Sequence, residues 1–334
     1  MIRDRYAIDQ MRPKLQRWFE RHRRDLLVAG ATVVLLICVA AFADGFFTTS
    51  NLRGVVLECA PLLVAAIGMT LVMLARHIDV SVGSQLAVGG MLAGALARSG
   101  VPMLLVAPAV IVAGAGMGAL NGLLVTAFGL PSIVVTLTMM VTLRHGLHWA
   151  TEETGLFGLP DDFQWLGLPV VAGPSLLVFV ALLVFAAFAW GLRNLAIGRA
   201  VYAVGSSAGG AGIPMAAISP RLVTFGIFVA AGALTAVAAF LGAVQLPHVQ
   251  ANAGMGFELA VIAAVVTGGT TISGRHGTLV GTLLGVLLLG TVGAAIPFLK
   301  IDAHWEKVAQ GVILLAAVAA DAVAWRRPKV VAHG

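Results

Sequence analysis

The sequence predicts an all-α polytopic membrane protein of about ten transmembrane helices, with both termini in the cytoplasm. Hydrophobic residues make up 59% of the 334 residues, charged residues make up 11%, and the mean hydropathy is +0.98. A soluble domain carries about a quarter charged residues. The 40 glycines suit helices that pack closely within lipid. The apolar runs are continuous rather than alternating, which favours helices over the strands of a membrane barrel.

Ten apolar segments predict the membrane-spanning helices, because a helix needs about 20 residues to cross the hydrocarbon. The third and fifth segments are marginal in length or polarity. The segments are 26–46, 53–75, 83–98, 102–127, 131–149, 169–191, 221–245, 255–272, 277–298 and 306–325.

The distribution of lysine and arginine predicts the orientation, since the cytoplasmic connections of membrane proteins carry the excess of basic residues. With the N-terminus inside, 16 basic residues fall in cytoplasmic segments and five in external ones, namely Arg53, Arg98, Arg144, Lys300 and Lys307. The net charge of +6 therefore indicates this inside bias and no nucleic-acid partner.

This topology divides the chain into three parts. Residues 1–25 form a basic cytoplasmic segment set against anionic membrane lipid. Residues 26–325 form the transmembrane domain, and 326–334 a basic cytoplasmic tail. The longest cytoplasmic connection, 192–220, is too short for a domain but long enough for a surface helix on which a cytoplasmic partner could dock.

Asp79 stands out because it lies in a short charged break between two long apolar runs, and charge at membrane depth is expensive. One interpretation is a carboxylate that fixes a turn near a translocation path. The other is an N-cap for the third span, in which the carboxylate accepts amide hydrogens. The two are compatible, since a gate needs a fixed turn.

Three further polar residues lie on apolar segments. Glu58 and Glu258 would either face a hydrated cavity or lie near the outer interface, with Glu258 capping its own helix. Asn121, in the fourth span, would either bind substrate or form a hydrogen bond between helices.

Motifs for resident chemistry are missing. No Gly-x-x-x-x-Gly-Lys motif occurs, and none of the four lysines follows a glycine, so the chain has no phosphate-binding loop of its own. The cysteines, Cys38 and Cys59, are interpreted as packing residues, and no metal site is predicted. The sequence predicts a transport subunit rather than an enzyme. Two rivals stay open: an intramembrane enzyme using Asp79 and Glu258, and an ion-coupled secondary transporter of a small polar solute.

Five ordered motifs carry a family resemblance. They are GMTLVM with IDVSVGS at 68–73 and 78–84, NGLLV at 121–125, PSIVVTL at 131–137, Gly-Arg-Ala-Val-Tyr-Ala-Val-Gly at 198–205 and ELAVIAAVVTGG at 258–269. Together they resemble the sugar-type ABC importer permeases, the group for ribose, autoinducer-2, rhamnose and xylose. Arg76-His77 before IDVSVGS is most similar to the autoinducer-2 and rhamnose importer permeases.

The resemblance implies a multi-pass permease of the bacterial cytoplasmic (inner) membrane. It implies a second permease copy or a paralogue, a cytoplasmic ABC ATPase dimer and an extracytoplasmic (periplasmic) sugar-binding protein as partners. ATP would bind to the ATPase subunit, so this chain would hold no cofactor. The alternating-access mechanism would move a sugar or sugar-like molecule inward.

The resemblance also places two sets of residues. Candidates for the substrate pathway are Asp79, Ser81, Gln85, Asn121, Thr136, Glu58 and Glu258. Candidates for coupling to the ATPase are Arg199, Tyr202, Gly205, Gly212 and Ile213, although the basic connection that holds Arg199 and Tyr202 could instead anchor phospholipid. Residues 206–211 depart from the family pattern, being about three residues short, which is nearly one helical turn.

Overall fold

The computed structural model describes residues 26–152, 154–206, 219–272, 274, 276–302 and 304–326, with side chains to residue 319. Within these ranges the fold is helical, and an antiparallel bridge joins Leu156 to Val249. The helices are α1 (Leu26–Phe42), α2 (Thr49–Leu74), α3 (Val82–Arg98), α4 (Met103–Thr126), α5 (Ser132–Thr151), α6 (Ala172–Asn194), α7 (Ala196–Ser206), α8 (Pro220–Ala243), α9 (Phe257–Thr267), α10 (Leu279–Phe298) and α11 (His304–Arg326).

Each of the ten predicted segments overlaps one of these helices, and α7 is the surface helix expected within 192–220. In the part of the chain that the structure describes, five helices are long and apolar enough to cross a membrane: α2, α4, α6, α8 and α10. The chain is thus a helical membrane protein by architecture. The predicted N-terminal segment 1–25 and most of the tail 326–334 lie outside the described residues.

Side-chain caps fix where three of the long helices begin. The hydroxyl oxygens of Thr48, Ser219 and Thr278 each accept the amide hydrogen of the residue three positions later, at the starts of α2, α8 and α10. Such N-caps satisfy amides that have no partner within the helix. The predicted starts of these three helices differ from the observed ones by a few residues at most.

Helix α2 is the centre of the fold. Its residues from Cys59 to Leu74 are all buried, and it packs against α6, α8, α9 and α10. The outward faces of α4 and α6 carry large exposed apolar side chains, for example Leu104, Val112, Phe179 and Trp190. This is the arrangement expected of a bundle whose surface meets lipid.

Glycine brings α4 and α8 into backbone contact. Gly114, Gly118 and Gly122 recur every four residues and so share one face of α4. A Cβ at Gly118 would collide with the carbonyl oxygen of Phe228, and a Cβ at Gly232 would collide with that of Gly114. Small residues at such an interface allow close van der Waals packing where lipid provides no hydrophobic drive.

The prediction of a full helical span at 255–272 is wrong. Helix α9 has 11 residues, a length of about 16 Å, or half of the hydrocarbon thickness. Gly254 and Gly256 adopt positive φ (71° and 79°) just before it, and Gly269 (89°) follows it. Only glycine takes such angles without strain, so these residues end the helix at both sides.

The segment before α9 runs beside α3. The Val249 side chain packs over Gly90 and Gly94, where an added Cβ would meet its methyl groups. Gly254 lies against the carbonyl oxygen of Gly83. The chain thus passes along α3 toward its N-terminus in non-helical form, and α9 begins there. The predicted eighth span is a discontinuous element, a form that transporters use where backbone lines a cavity.

Candidate functional site

The Asp79 carboxylate lies in the turn between α2 and α3 and is 1% exposed. It accepts hydrogen bonds from the amide of Ser81 at 2.9 Å, from the Ser81 hydroxyl, and from Gln85 Nε2 at 3.4 Å. Burial raises the pKa of this carboxyl, and the hydrogen bonds act in the opposite direction. The carboxylate does accept an amide hydrogen, but Ser81 rather than Asp79 is the N-cap residue of α3.

Asn121 joins this cluster from another helix. Its Nδ2 donates to Ser81 Oγ at 3.0 Å, and Gln85 Nε2 donates to the same oxygen at 2.7 Å. This is the expected hydrogen bond between helices. The oxygen atoms of the same two side-chain amides, Gln85 Oε1 and Asn121 Oδ1, are buried and have no hydrogen-bond partner among the described residues.

Thr136, on α5, holds the backbone of the same turn. Its hydroxyl oxygen accepts the Val80 amide at 3.1 Å, and Ser132 Oγ accepts the Ile78 amide at 3.4 Å. Asp79, Ser81, Gln85, Asn121 and Thr136 therefore form one buried group, named the Asp79 cluster below. It joins the α2–α3 turn to α4 and α5.

Glu258 lies on the other side of the start of α3. Its Oε2 is buried, has no hydrogen-bond partner among the described residues, and occupies the space where a Cβ on Gly83 would be. The Arg144 guanidinium of α5 lies close enough to interact electrostatically with Glu258, while its Nη1 donates to the carbonyl of Ala253 at 2.7 Å. Glu258 lies in the first turn of α9, but Gly256 is the N-cap residue and no side-chain cap hydrogen bond forms there, so the prediction that Glu258 caps its helix is wrong.

Glu58 does not share contacts with these residues. It lies in the first half of α2, is exposed, and interacts electrostatically with Glu306 of α11. Of the seven pathway candidates, five thus form the Asp79 cluster, Glu258 lies against Gly83 at the start of α3, and Glu58 lies apart. Among the described residues, no group of three or more His, Cys, Asp or Glu side chains could hold a metal ion.

Helix α7 contacts both the last residue of α2 and the turn between α9 and α10. The end of the molecule at which these contacts lie is named the α7 end. The Tyr202 hydroxyl donates to the Gly277 carbonyl at 3.0 Å, and burial raises the pKa of this hydroxyl. A Cβ on Gly205 would collide with the Leu74 carbonyl oxygen and meet that of Gly274. Arg199 is exposed. Gly212 and Ile213 lie outside the described residues.

At the end opposite α7, the structure shows polar residues that were not among the pathway candidates. A cavity of about 490 Å³ is lined by His148, Gly155, Phe157, Gln250, Asn252 and Met255. The sequence feature that could have indicated this cavity is the Gly254-x-Gly256 spacing, because paired glycines predict a break in the eighth apolar segment. Arg144 was counted as an external charge, but its contact with Ala253 is tertiary.

Comparison with known proteins agrees with the motifs. The family model described as branched-chain amino acid transport system / permease component matches residues 51–318. The comparison with solved structures found no match.

Curated relatives cover most of the chain. The ribose import permease protein RbsC of Haemophilus influenzae is 31% identical over 87% of this chain and 91% of its own length, and that of Escherichia coli K12 is 32% identical over the same shares. The autoinducer 2 import system permease protein LsrC of Escherichia coli is 32% identical over 91% of this chain and 88% of its own length. The chain therefore belongs to this transport permease family, as one of the sugar-type ABC importer permeases that its motifs indicated.

Proposed function

We propose that this chain is the pore-forming subunit of a bacterial ABC importer that moves a monosaccharide or a sugar-like molecule into the cytoplasm. The observation that carries the proposal is the 31–32% identity to ribose and autoinducer-2 import permeases over at least 87% of the chain. ATP hydrolysis on a separate ATPase dimer drives the cycle, and an extracytoplasmic binding protein delivers the solute. Rhamnose and xylose belong to the same substrate class.

The exposed face of α5 supports a pathway beside this helix. Thr138, Thr142 and His145 lie on one exposed stripe of α5, which also carries apolar side chains such as Val141 and Trp149. In contrast, the exposed side chains of α6 between Leu176 and Trp190 are all apolar. Polar side chains within a span face a bundle interior or an aqueous cavity rather than lipid. A second copy of this chain, or a paralogue, closes the pathway on the side of α5.

The contacts of α7 suggest how ATP hydrolysis is coupled to the pathway. On this proposal the α7 end faces the cytoplasm, and the ATPase dimer moves α7 through its exposed side, where Arg199 lies. Gly205 transmits the movement to the end of α2, which leads directly into the turn of the Asp79 cluster. Tyr202 transmits it to the turn between α9 and α10. The first turn leads into the start of α3 at Gly83, and the second adjoins the end of α9, whose first turn meets Gly83. Movement of both elements would open this contact and admit the solute.

An ion-coupled carrier is the second candidate, because a buried carboxylate beside two unpartnered amide oxygens could hold a cation or a proton. Relatives named as ribose and autoinducer 2 import permeases outweigh this observation. The carrier would work without an ATPase and would depend on an ion gradient, whereas the importer requires ATP on the cytoplasmic side.

Uptake by a strain that lacks this gene tests the substrate class. The panel is labelled D-ribose, D-xylose, L-rhamnose and autoinducer-2, with L-leucine included because the family model is described by branched-chain amino acids. We expect uptake of at least one of the four sugars to fall and to return with the gene on a plasmid. Unchanged uptake of all four, or loss of L-leucine uptake alone, would contradict the proposal.

A further inference from the structure

The cavity at the end opposite α7 is built for hydroxyl groups. This cavity, named the vestibule below, is lined by six residues: His148, Gly155, Phe157, Gln250, Asn252 and Met255. They supply two amides, an imidazole and an aromatic ring, and the volume of about 490 Å³ falls in the range of small-molecule sites. Amides both donate and accept hydrogen bonds, as sugar hydroxyls require.

Contacts within the vestibule hold its aromatic wall in place. The Phe157 ring stacks on the His248 ring, with centroids 5.2 Å apart and planes 16° apart, and Gln250 Nε2 lies 3.2 Å from His248 Nε2. Phe157 is nevertheless 62% exposed. A fixed ring with an open face is a platform for the C–H face of a sugar.

Asn252 is the free hydrogen-bonding group of the vestibule. It is exposed, and its side-chain amide has no hydrogen-bond partner in the described part of the chain. It lies in the non-helical segment that passes along α3, two residues before Gly254, which contacts Gly83. A solute held by Asn252 is therefore placed at the entrance of the discontinuous element that leads to Glu258 and the Asp79 cluster.

The charges also favour one class of solute. None of the six lining residues carries a carboxylate, an ammonium or a guanidinium. The neighbouring basic groups of Arg144 and Lys307 already donate to the carbonyls of Ala253 and Met255. A zwitterionic amino acid would lose hydration there without gaining an opposite charge, whereas a neutral polyol loses only hydrogen bonds that the amides replace. Resting on the proposed function, we infer that the vestibule is a low-affinity monosaccharide site that receives the solute before translocation.

Saturation-transfer NMR on the purified full-length permease in lipid nanodiscs tests this site. The probes are D-ribose, D-xylose and L-rhamnose at millimolar concentration, with L-leucine as the zwitterionic comparison. We expect at least one sugar to bind and L-leucine not to bind. Asn252→Leu and Phe157→Ala should each weaken sugar binding about tenfold, since each removes a main contact. The matched control is Asn194→Leu, which removes an exposed amide at the α7 end.

The outcomes separate the two proposals. The vestibule assignment is wrong if no sugar binds the wild-type permease. It is also wrong if sugar binding survives both vestibule variants or falls equally in Asn194→Leu. Each of these outcomes counts against the vestibule even where the gene supports sugar uptake in cells. If L-leucine binds and the sugars do not, the charge argument is wrong. Loss of sugar binding in the two vestibule variants alone, with an unchanged unfolding temperature, supports the site. The proposed function fails separately, through unchanged sugar uptake in the deletion strain.

Discussion

The carboxylate of Glu258 lies directly over Gly83, so that the first turns of α9 and α3 touch. In the predicted topology these two residues belong to opposite sides of the membrane. Their contact is possible because α9 is only 11 residues long and is preceded by a non-helical segment that runs along α3. Two chain segments therefore enter from opposite ends and meet within the bundle, beside the Asp79 cluster.

Gly83→Ala tests this contact. The new methyl group would collide with Glu258 Oε2 and with the carbonyl oxygen of Gly254. Overpacking of this kind costs about 1–3 kcal/mol, and we expect a lower unfolding temperature in detergent and reduced solute uptake. Gly90→Ala, on the same helix, is the control, because its methyl group would find neighbours only at 3.5 Å and beyond. Equal behaviour of the two variants would refute the contact.

Gly118→Ala should loosen the packing of α4 on α8. Its methyl group would overlap the Phe228 carbonyl, and because backbone cannot move aside as a flexible side chain does, we expect a loss of about 1–3 kcal/mol in unfolding free energy. Gly116→Ala, two residues away, meets nothing within 4 Å and should be neutral or stabilising by up to about 1 kcal/mol. Thermal unfolding of both purified variants measures the difference, and a stable Gly118→Ala would argue against the close approach.

Asp79 is expected to act as a structural corner, and two substitutions separate shape from charge. Asp79→Ala leaves the buried amide and hydroxyl of Ser81 without their acceptor, which costs about 1–3 kcal/mol. Asp79→Asn keeps one acceptor oxygen, so we expect it to retain most of the uptake that Asp79→Ala loses. If well-folded Asp79→Asn is as inactive as Asp79→Ala, the negative charge itself is required, as an ion-coupled carrier would demand.

Arg199→Glu tests the docking role of α7. Arg199 is exposed, so reversal of its charge should leave the permease folded while uncoupling ATP hydrolysis from uptake. Arg98→Glu provides the matched control, since Arg98 is exposed at the end opposite α7. Comparison of uptake with ATPase activity in membranes reports the effect. Unchanged uptake by Arg199→Glu would exclude this residue from the docking surface.

Gly205→Ala tests the inner side of α7. A methyl group there would push α7 away from the Leu74 and Gly274 carbonyls, and we expect a large loss of uptake with the subunits still assembled. Tyr202→Phe removes only the hydrogen bond to Gly277 and should have a smaller effect, because a single hydrogen bond contributes about 1 kcal/mol. Full uptake by Gly205→Ala would show that α7 does not transmit movement through this contact.

Hydropathy was sufficient to locate the helices, because each long apolar run has one stable solution in lipid, a helix that satisfies its own backbone. It failed at 255–272, where the positive φ of Gly254 and Gly256 ends the helix but the side chains stay apolar. The IDVSVGS motif marked Asp79 and Ser81, and Gln85 follows it directly, so these three residues are local neighbours. Their junction with Asn121 and Thr136, and the approach of Glu258 to Gly83, depend on tertiary packing that no local pattern encodes.

The most direct test of the account is uptake by proteoliposomes that contain this permease with the ATPase and the binding protein that the proposed function requires. The binding protein and the labelled sugar are outside, and ATP is inside. We predict uptake that requires enclosed ATP, stops when the phosphate-binding lysine of the ATPase is replaced, and persists when an ionophore collapses the ion gradients. Uptake that proceeds without ATP and stops with the ionophore would contradict the account and establish an ion-coupled carrier.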